Sequence, residues 1–196
     1  MIELVHGLEP QQLTLFRQQY PNATHADFSA QHFQAVKRIV KVQLNSEQGG
    51  LCVYCEKSLD AQEGQIEHIK PKSGVNAHPH LTFTYTNYAH SCLHEKTCGS
   101  KKKAGILPIE PTQQDCNDHF FLNQDGSIDP IIGLTRTQKH SVTQTRDMLG
   151  LQNPDLVRDR EQWIKQIQTL IGIDVTLIPI FLADKPFRYI LRRFVA

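Results

Sequence analysis

The sequence predicts an α+β fold in which a mostly helical shell surrounds a small metal-binding centre with short β-strands. Two observations favour this fold: apolar residues recur at intervals of three and four near both ends of the chain, and two pairs of cysteines bracket its middle. A chain of 196 residues, 39% hydrophobic and 21% charged, can bury a core of its own. We expect N-terminal helices over 1–50, a metal-binding core over 51–110, and a C-terminal hairpin with helices over 111–196 where a partner protein could dock.

Two helices are predicted in the N-terminal segment. A short helix should occupy 9–20, with Pro10 in its first turn. A longer helix should begin near Asp27 or Ser29 and end at Gly49. Its buried stripe would consist of four apolar residues at helical spacing: Phe33, Val36, Val40 and Leu44.

The middle segment combines a strand with short helical turns. A strand is predicted over 65–69, bounded by Gly64 and Pro71. Short helical turns are predicted over 87–93 and from Ser100 onward. These elements would hold the residues around the second cysteine pair.

The C-terminal segment is predicted to contain a hairpin and three helices. The hairpin should span 120–128 around Asp125-Gly126, and helices should occupy 134–149 and the stretch that begins at Asn153. A last helix over 185–195 should bury one apolar face and expose a basic one. The apolar face would hold Phe187, Ile190, Leu191 and Phe194, and the basic face Arg188, Arg192 and Arg193.

Four of the five cysteines form two close pairs, Cys52 with Cys55 and Cys92 with Cys98. Four thiolates suit a tetrahedral structural zinc site, whereas Cys116 stands alone and is expected to be a bystander. A metal site in a reducing compartment explains this set better than disulfides do. The N-terminus lacks the layout of a signal peptide and no apolar run is long enough to span a bilayer, so we expect a cytoplasmic protein without membrane association.

The overall charge excludes a protein that grips nucleic acid by net charge alone. The formal net charge is +1 and the pI is ≈ 7.7. Between Cys52 and Lys103, however, lysines outnumber acidic residues seven to five. Any contact with phosphate must therefore be local.

Glu67 and His68 follow one another in the predicted strand between the cysteine pairs. This pair suits a second, catalytic metal, because a carboxylate can bind a cation and a base beside it can take a proton from water. Imidazole, with an ordinary pKa near 6.5, suits the base. Neighbouring side chains of a regular strand point to opposite faces. If Glu67 and His68 are both to face the metal, the strand must be distorted or must end here. The alternative is that both are ordinary residues beside a zinc knuckle that only stabilises the fold.

Five segments resemble a known motif. They are Tyr54-Cys55-Glu56-Lys57, Ile66-Glu67-His68-Ile69-Lys70-Pro71-Lys72-Ser73, Tyr85-Thr86-Asn87, Ser91-Cys92 and Cys98-Gly99-Ser100-Lys101-Lys102. Together they resemble the HNH, or ββα-metal, nuclease motif, and more closely the HNH endonucleases of retron and Septu anti-phage defence systems. The resemblance implies a zinc-stabilised ββα-metal (HNH) centre and a metal-dependent endonuclease that hydrolyses nucleic-acid phosphodiester bonds, with DNA as the expected substrate.

The resemblance also implies roles for three residues of the centre. Glu67 would bind a catalytic Mg²⁺ or Mn²⁺, and His68 would activate water. Asn87 would hold the metal-binding loop through hydrogen bonds from its side chain to the backbone. A helix N-cap is the alternative role for Asn87.

The third motif position is usually His or Asn, but it falls at Ser100 in this sequence. A serine hydroxyl is a weak metal ligand, although magnesium keeps several waters and needs few protein groups. His90 or His94 is the alternative second ligand.

A cluster of lysines flanks the predicted site and would neutralise phosphates of the substrate: Lys70, Lys72, Lys101, Lys102 and Lys103. The alternative is a solvated basic face.

The resemblance implies an effector that works with an ATPase subunit of the ABC or SMC type, since this chain has no Gly-rich phosphate loop. One of the surfaces at 134–171 and 186–194 is expected to dock it. Two other functions stay open, a zinc-knuckle nucleic-acid-binding adaptor without catalysis and a scaffold that acts only in assembly.

Overall fold

The computed structural model describes residues 1–195, which form two small antiparallel sheets and seven α-helices. Short 3₁₀ turns join several of these elements. In chain order they are α1 (Gln11–Gln19), α2 (Gln34–Glu47), β1 (Gln65–His68), β2 (Tyr88–Ser91), α3 (Cys98–Lys102), β3 (Phe120–Leu122), β4 (Ile128–Pro130), α4 (Arg136–Met148), α5 (Pro154–Ile171), α6 (Ile178–Leu182) and α7 (Arg188–Phe194). Mixed helices and small sheets agree with the predicted α+β class.

The first sheet pairs β1 with β2 and corrects one prediction. Glu67 lies opposite Ala89 and His68 opposite Tyr88, so residues 88–91 form a strand where helical turns were expected. All four residues of β2 are buried, so the strand lacks the alternation of polar and apolar residues that marks a strand with one exposed face. The prediction of a helical turn from Ser100 onward is confirmed by α3, which follows β2 and completes a β, β, α order.

The N-terminal helices follow the predicted pattern, except at one boundary. Two 3₁₀ turns separated by an extended Ala30 occupy 27–33, so α2 begins at Gln34 and not near Asp27. The predicted stripe is confirmed, since Phe33, Val40 and Leu44 are buried and Val36 is partly buried. Gly49 follows the helix with φ 61°, a conformation that costs glycine little.

The C-terminal hairpin and helices are also close to prediction. Strands β3 and β4 form the expected hairpin, and Asn153 caps α5 through its side chain. Helix α6 was not predicted. Helix α7 begins only at Arg188, because Phe187 has a left-handed backbone with φ 59°.

Arg188 does not belong to an exposed basic face, as the helical pattern predicted. It is buried, and its guanidinium donates a 2.7 Å hydrogen bond to the carbonyl of Gly49. Arg193 pairs with Asp118. Two of the three predicted arginines are therefore engaged within the protein.

One large apolar core joins all three predicted segments. It contains Ile2, the cysteine knuckle at Cys52, Leu122 of β3 and Leu191 of α7. The buried Glu56 carboxylate accepts hydrogen bonds from two backbone amides at the start of α7 and lies 2.9 Å from the Met1 ammonium group. Residues of 1–50, 51–110 and 111–195 thus share one core. None of the helices in residues 1–195 is both long and apolar enough to cross a membrane.

Candidate active site

Four cysteine sulfurs converge into one cluster beside the first sheet. Cys52, Cys55, Cys92 and Cys98 place their Sγ atoms within 4.8 Å of one another. Sγ of Cys52 lies 3.7 Å from that of Cys98, and Sγ of Cys55 lies 3.9 Å from that of Cys92. A tetrahedral ion with Zn–S bonds of about 2.3 Å separates its sulfurs by about 3.8 Å. The cluster therefore has the ligand type and spacing that a bound zinc ion requires.

Backbone hydrogen bonds set the cysteine positions. The Cys52 amide donates to the carbonyl of Lys57, and the Cys92 amide donates to Sγ of Cys52 at 3.3 Å. The Cys98 amide donates to the carbonyl of Leu149, which attaches the second pair to the end of α4. Cys116 is buried and does not belong to the cluster.

Glu67 and His68 line one cleft of ≈ 390 Å³ next to this cluster. Strand β1 ends at His68, and the two side chains contact different partners, since Glu67 meets Lys102 of α3 whereas His68 meets Phe28. Lys72 and Lys103 also line the cleft, from the loop after β1 and from the end of α3. The cleft therefore joins a carboxylate, an imidazole and two ammonium groups.

The structure fixes the orientation of the His68 ring. Nε2 lies 3.0 Å from the carbonyl oxygen of Thr82. A carbonyl only accepts hydrogen bonds, so Nε2 carries the hydrogen and Nδ1 keeps the free lone pair. The rings of Phe28 and Tyr88 meet the imidazole edge to face. Burial lowers the pKa of His68 to about 3, so the imidazole is neutral at physiological pH, although the same burial weakens Nδ1 as a proton acceptor.

Lys102 is a buried partner of Glu67 and not an exposed phosphate-binding lysine, as its place in the lysine run predicted. Its side chain is 0% exposed, and its ammonium group lies 2.7 Å from Oε1 of Glu67. The same group donates to the carbonyl of His68 at 3.0 Å. Burial raises the pKa of Glu67, and the nearby Lys102 opposes this shift. The second carboxylate oxygen lies against Gly99, where a side chain would collide with it.

Asn87 ties the loop after β1 to the start of β2. Its Oδ1 accepts from the amide of Lys70 at 2.8 Å, and its Nδ2 donates to the carbonyl of Lys70 at 3.0 Å. Nδ2 also donates to the carbonyl of Leu81. These are the bonds from side chain to backbone that the sequence predicted for this residue, and they do not cap a helix.

The other predicted phosphate-binding lysines differ in their surroundings. Lys70 forms an ion pair with Glu110 at 2.5 Å. Lys101 is exposed and lines a separate surface cavity with Asp147. Lys72 and Lys103 remain in the cleft itself.

The candidates for a second metal ligand are not brought to the cleft. Ser100 is not among the residues that line it. Both ring nitrogens of His90 are engaged, by Asn45 and by the carbonyl of Glu63. His94 borders a different cavity, beside Cys92. Among His, Cys, Asp and Glu side chains of residues 1–195, only the four cysteines converge as a group of three or more.

Two contributors to the site were missed from the sequence. Thr82 acts through its backbone carbonyl, which accepts from both His68 and the Tyr88 hydroxyl, and no residue type signals such a role. Phe28 comes from a segment that was assigned to a helix and that forms a 3₁₀ turn against the site. The aromatic side chain of Phe28 indicated burial, but its sequence position did not indicate that it packs against His68.

A comparison with known proteins identifies the family. The chain is 48% identical, over an alignment 204 positions long, to a protein of Vibrio cholerae serotype O1 biovar El Tor named "Retron Vc95 putative HNH endonuclease", and the alignment covers 98% of each protein. The chain belongs to the retron HNH endonuclease family. No family model matches it.

Membership of the retron HNH endonuclease family confirms the resemblance to retron proteins that the sequence motifs indicated. The alignment includes the segments outside the metal-binding core, because it spans nearly the whole of both proteins. The helical flanks are thus shared with that relative and are not additions to an isolated nuclease motif.

Proposed function

We propose that the protein is a metal-dependent HNH endonuclease that hydrolyses phosphodiester bonds of nucleic acid, with DNA as the main substrate, as the effector of an anti-phage retron system. The observation that carries this proposal is the geometry of His68 in the cleft. Its Nε2 is bonded to a carbonyl, its Nδ1 is free, and its ring is neutral at physiological pH. An oriented imidazole with a free ring nitrogen suits the activation of water, and because burial weakens this base, a cation bound at Glu67 would have to acidify the water as well.

In the proposed reaction, Nδ1 of His68 takes the proton from the attacking water. Glu67 would hold Mg²⁺ or Mn²⁺ through the oxygen that Lys102 does not occupy. The bound cation would supply Lewis-acid stabilisation of the phosphate and of the leaving oxygen. Asn87 keeps the loop that carries Lys72 in place, and Lys72 and Lys103 attract the substrate backbone.

Zinc is proposed to be the structural ion of the four-cysteine cluster. Cys52 and Cys55 precede β1, whereas Cys92 and Cys98 flank the segment between β2 and α3. An ion between them would connect the two halves of the centre and would stabilise it. One zinc per chain is expected.

Purified protein tests the nuclease proposal directly. Nicking of supercoiled DNA should require Mg²⁺ or Mn²⁺ and should be lost in Glu67→Ala. Raised divalent concentration should restore part of that activity, because a missing ligand weakens metal affinity. Cleavage that Glu67→Ala leaves undiminished would contradict the proposed metal site.

One observation favours a second candidate, a zinc-knuckle nucleic-acid-binding adaptor without catalysis. Lys102 already neutralises Glu67, and among the described residues Glu67 belongs to no cluster of three or more His, Cys, Asp or Glu side chains. An adaptor would bind nucleic acid without cleaving it under any divalent cation. Cleavage by the parent protein excludes this candidate.

An ATPase subunit is the proposed partner, and an apolar surface supports its docking. Ile173 is 72% and Ile180 75% exposed, between the two helical regions predicted to dock a partner. The surface also includes Ile171, Val175 and Leu177. Co-expression with the genomic neighbour should give one complex in size-exclusion chromatography. Ile180→Asp should separate the two proteins, whereas Ile132→Asp, a similar change at a distant exposed site, should not.

A further inference from the structure

Lys37 and Lys72 place two ammonium groups against one aromatic ring next to His68. Nζ of Lys37 lies 4.5 Å, and Nζ of Lys72 5.1 Å, from the centroid of the Phe28 ring. The centroid of the His68 ring lies 4.5 Å from the same point. Lys72 lines the cleft, whereas Lys37 comes from α2, outside the metal-binding core. Two positive charges from distant parts of the sequence therefore meet beside the candidate base.

Among residues 1–195, neither ammonium group forms an ion pair with a carboxylate, although Lys72 lies close enough to Glu67 to lower the pKa of that carboxyl. Burial and the nearby Lys72 and Lys41 lower the pKa of Lys37, which shows that its positive charge is disfavoured where it lies. The face of Phe28 attracts each ammonium group but leaves the repulsion between the two in place. Lys102 adds a third positive charge near His68, but Glu67 balances that one. An anion bound between Lys37 and Lys72 would remove the remaining repulsion.

We propose that Lys37 and Lys72 jointly bind one backbone phosphate of the nucleic acid that lies in the cleft, with Phe28 holding both side chains in position. This inference rests on the proposed nuclease function and adds a substrate contact from the N-terminal segment. Lysine binds phosphate as a point charge without a fixed fork geometry, so two lysines can share one anion. Because Phe28 also contacts His68, the bound phosphate would set the position of the strand relative to the imidazole.

Binding can be measured without cleavage in a His68→Ala background. Fluorescence anisotropy with a labelled DNA duplex gives the affinity at salt concentrations from about 50 to 200 mM. Loss of one phosphate contact should lower the magnitude of the slope of log affinity against log salt by about 0.9. The ratio of parent affinity to Lys37→Ala affinity should therefore shrink about threefold across this range. Lys72→Ala should give the same change. The double variant should lower the slope by no more than about 0.9, since both lysines serve one phosphate.

Lys139→Ala is the matched control, because Lys139 is an exposed lysine on α4 and its loss changes the net charge equally. Zinc content and thermal stability verify that each variant is folded. A slope for Lys37→Ala equal to that of Lys139→Ala overturns the inference, as does a parent that binds no DNA. A double variant whose slope falls by about twice the single value also overturns it, since the lysines would then serve separate phosphates.

The same data separate this inference from the proposed nuclease function. If the unmutated protein does not cleave but Lys37→Ala lowers the slope, the phosphate site stands and the nuclease proposal falls. If the protein cleaves and Lys37→Ala binds like Lys139→Ala, the nuclease proposal stands and the phosphate site falls.

Discussion

Replacement of Lys102 by methionine should strongly destabilise the protein, because it leaves the Glu67 carboxylate buried without its charge partner. The pair is nearly inaccessible, with side-chain exposures of 0% for Lys102 and 9% for Glu67. Removal of one member of a buried ion pair typically costs about 3–5 kcal/mol. For a chain of this size, 1 kcal/mol corresponds to about 2–4 °C in melting temperature, so Lys102→Met should melt about 6–20 °C below the parent.

The assay is thermal unfolding of zinc-loaded protein without added magnesium, followed by circular dichroism. Lys101→Met is the control, because Lys101 is exposed on the same helix and its loss should change stability by no more than about 0.5 kcal/mol. The double variant Glu67→Gln with Lys102→Met should recover part of the loss, since it removes the unpaired charge. A Lys102→Met protein that melts within about 2 °C of the parent would refute the assignment of Lys102 as an internal partner of Glu67.

Three further predictions concern the cysteine cluster, His68 and Asn87. Cys55→Ser should lose zinc, measured by metal analysis, and should melt at a lower temperature, whereas Cys116→Ser should keep its zinc; full zinc content in Cys55→Ser would show that the ligands are assigned wrongly. The pKa of His68 is lowered in the folded state, so its contribution to stability is present above about pH 6.5 and is lost as the pH falls towards 3. Between pH 7 and pH 5 the free energy of unfolding of His68→Gln should therefore fall by about 2 kcal/mol less than that of the parent. Equal losses in chemical denaturation would contradict the burial of a neutral imidazole. Asn87→Ala should free the loop at Lys70 and speed amide hydrogen exchange there, and unchanged protection would count against its role in holding the loop.

The sequence predicted the elements whose signals are local. Cysteine spacing identified the four members of the cluster, and the apolar stripe of Phe33, Val40 and Leu44 identified α2. The Asp125-Gly126 turn identified the C-terminal hairpin. Each of these signals depends on residue type and spacing within one short segment, so tertiary packing was not needed to interpret it.

The sequence failed where packing decides the structure. Strand β2 is buried on both faces, so no alternation distinguished residues 88–91 from a helical turn. Lys102 belongs to a run of three lysines that the sequence does not distinguish from one another. It is buried against Glu67 only because of the way α3 packs beside β1. Thr82 orients His68 through its backbone, which carries no signature of residue type. Lys37 reaches the site because α2 packs beside β1, a long-range contact that spacing along the chain does not reveal.

Cleavage by His68→Ala protein tests the central claim most directly. Zinc-loaded parent and variant, each with the partner subunit, would be compared on supercoiled DNA and on structured RNA in the presence of Mg²⁺ or Mn²⁺. Loss of the general base should slow cleavage by about 100-fold to 10,000-fold, while zinc content and partner binding stay unchanged. Undiminished cleavage of either substrate by His68→Ala would contradict the HNH mechanism.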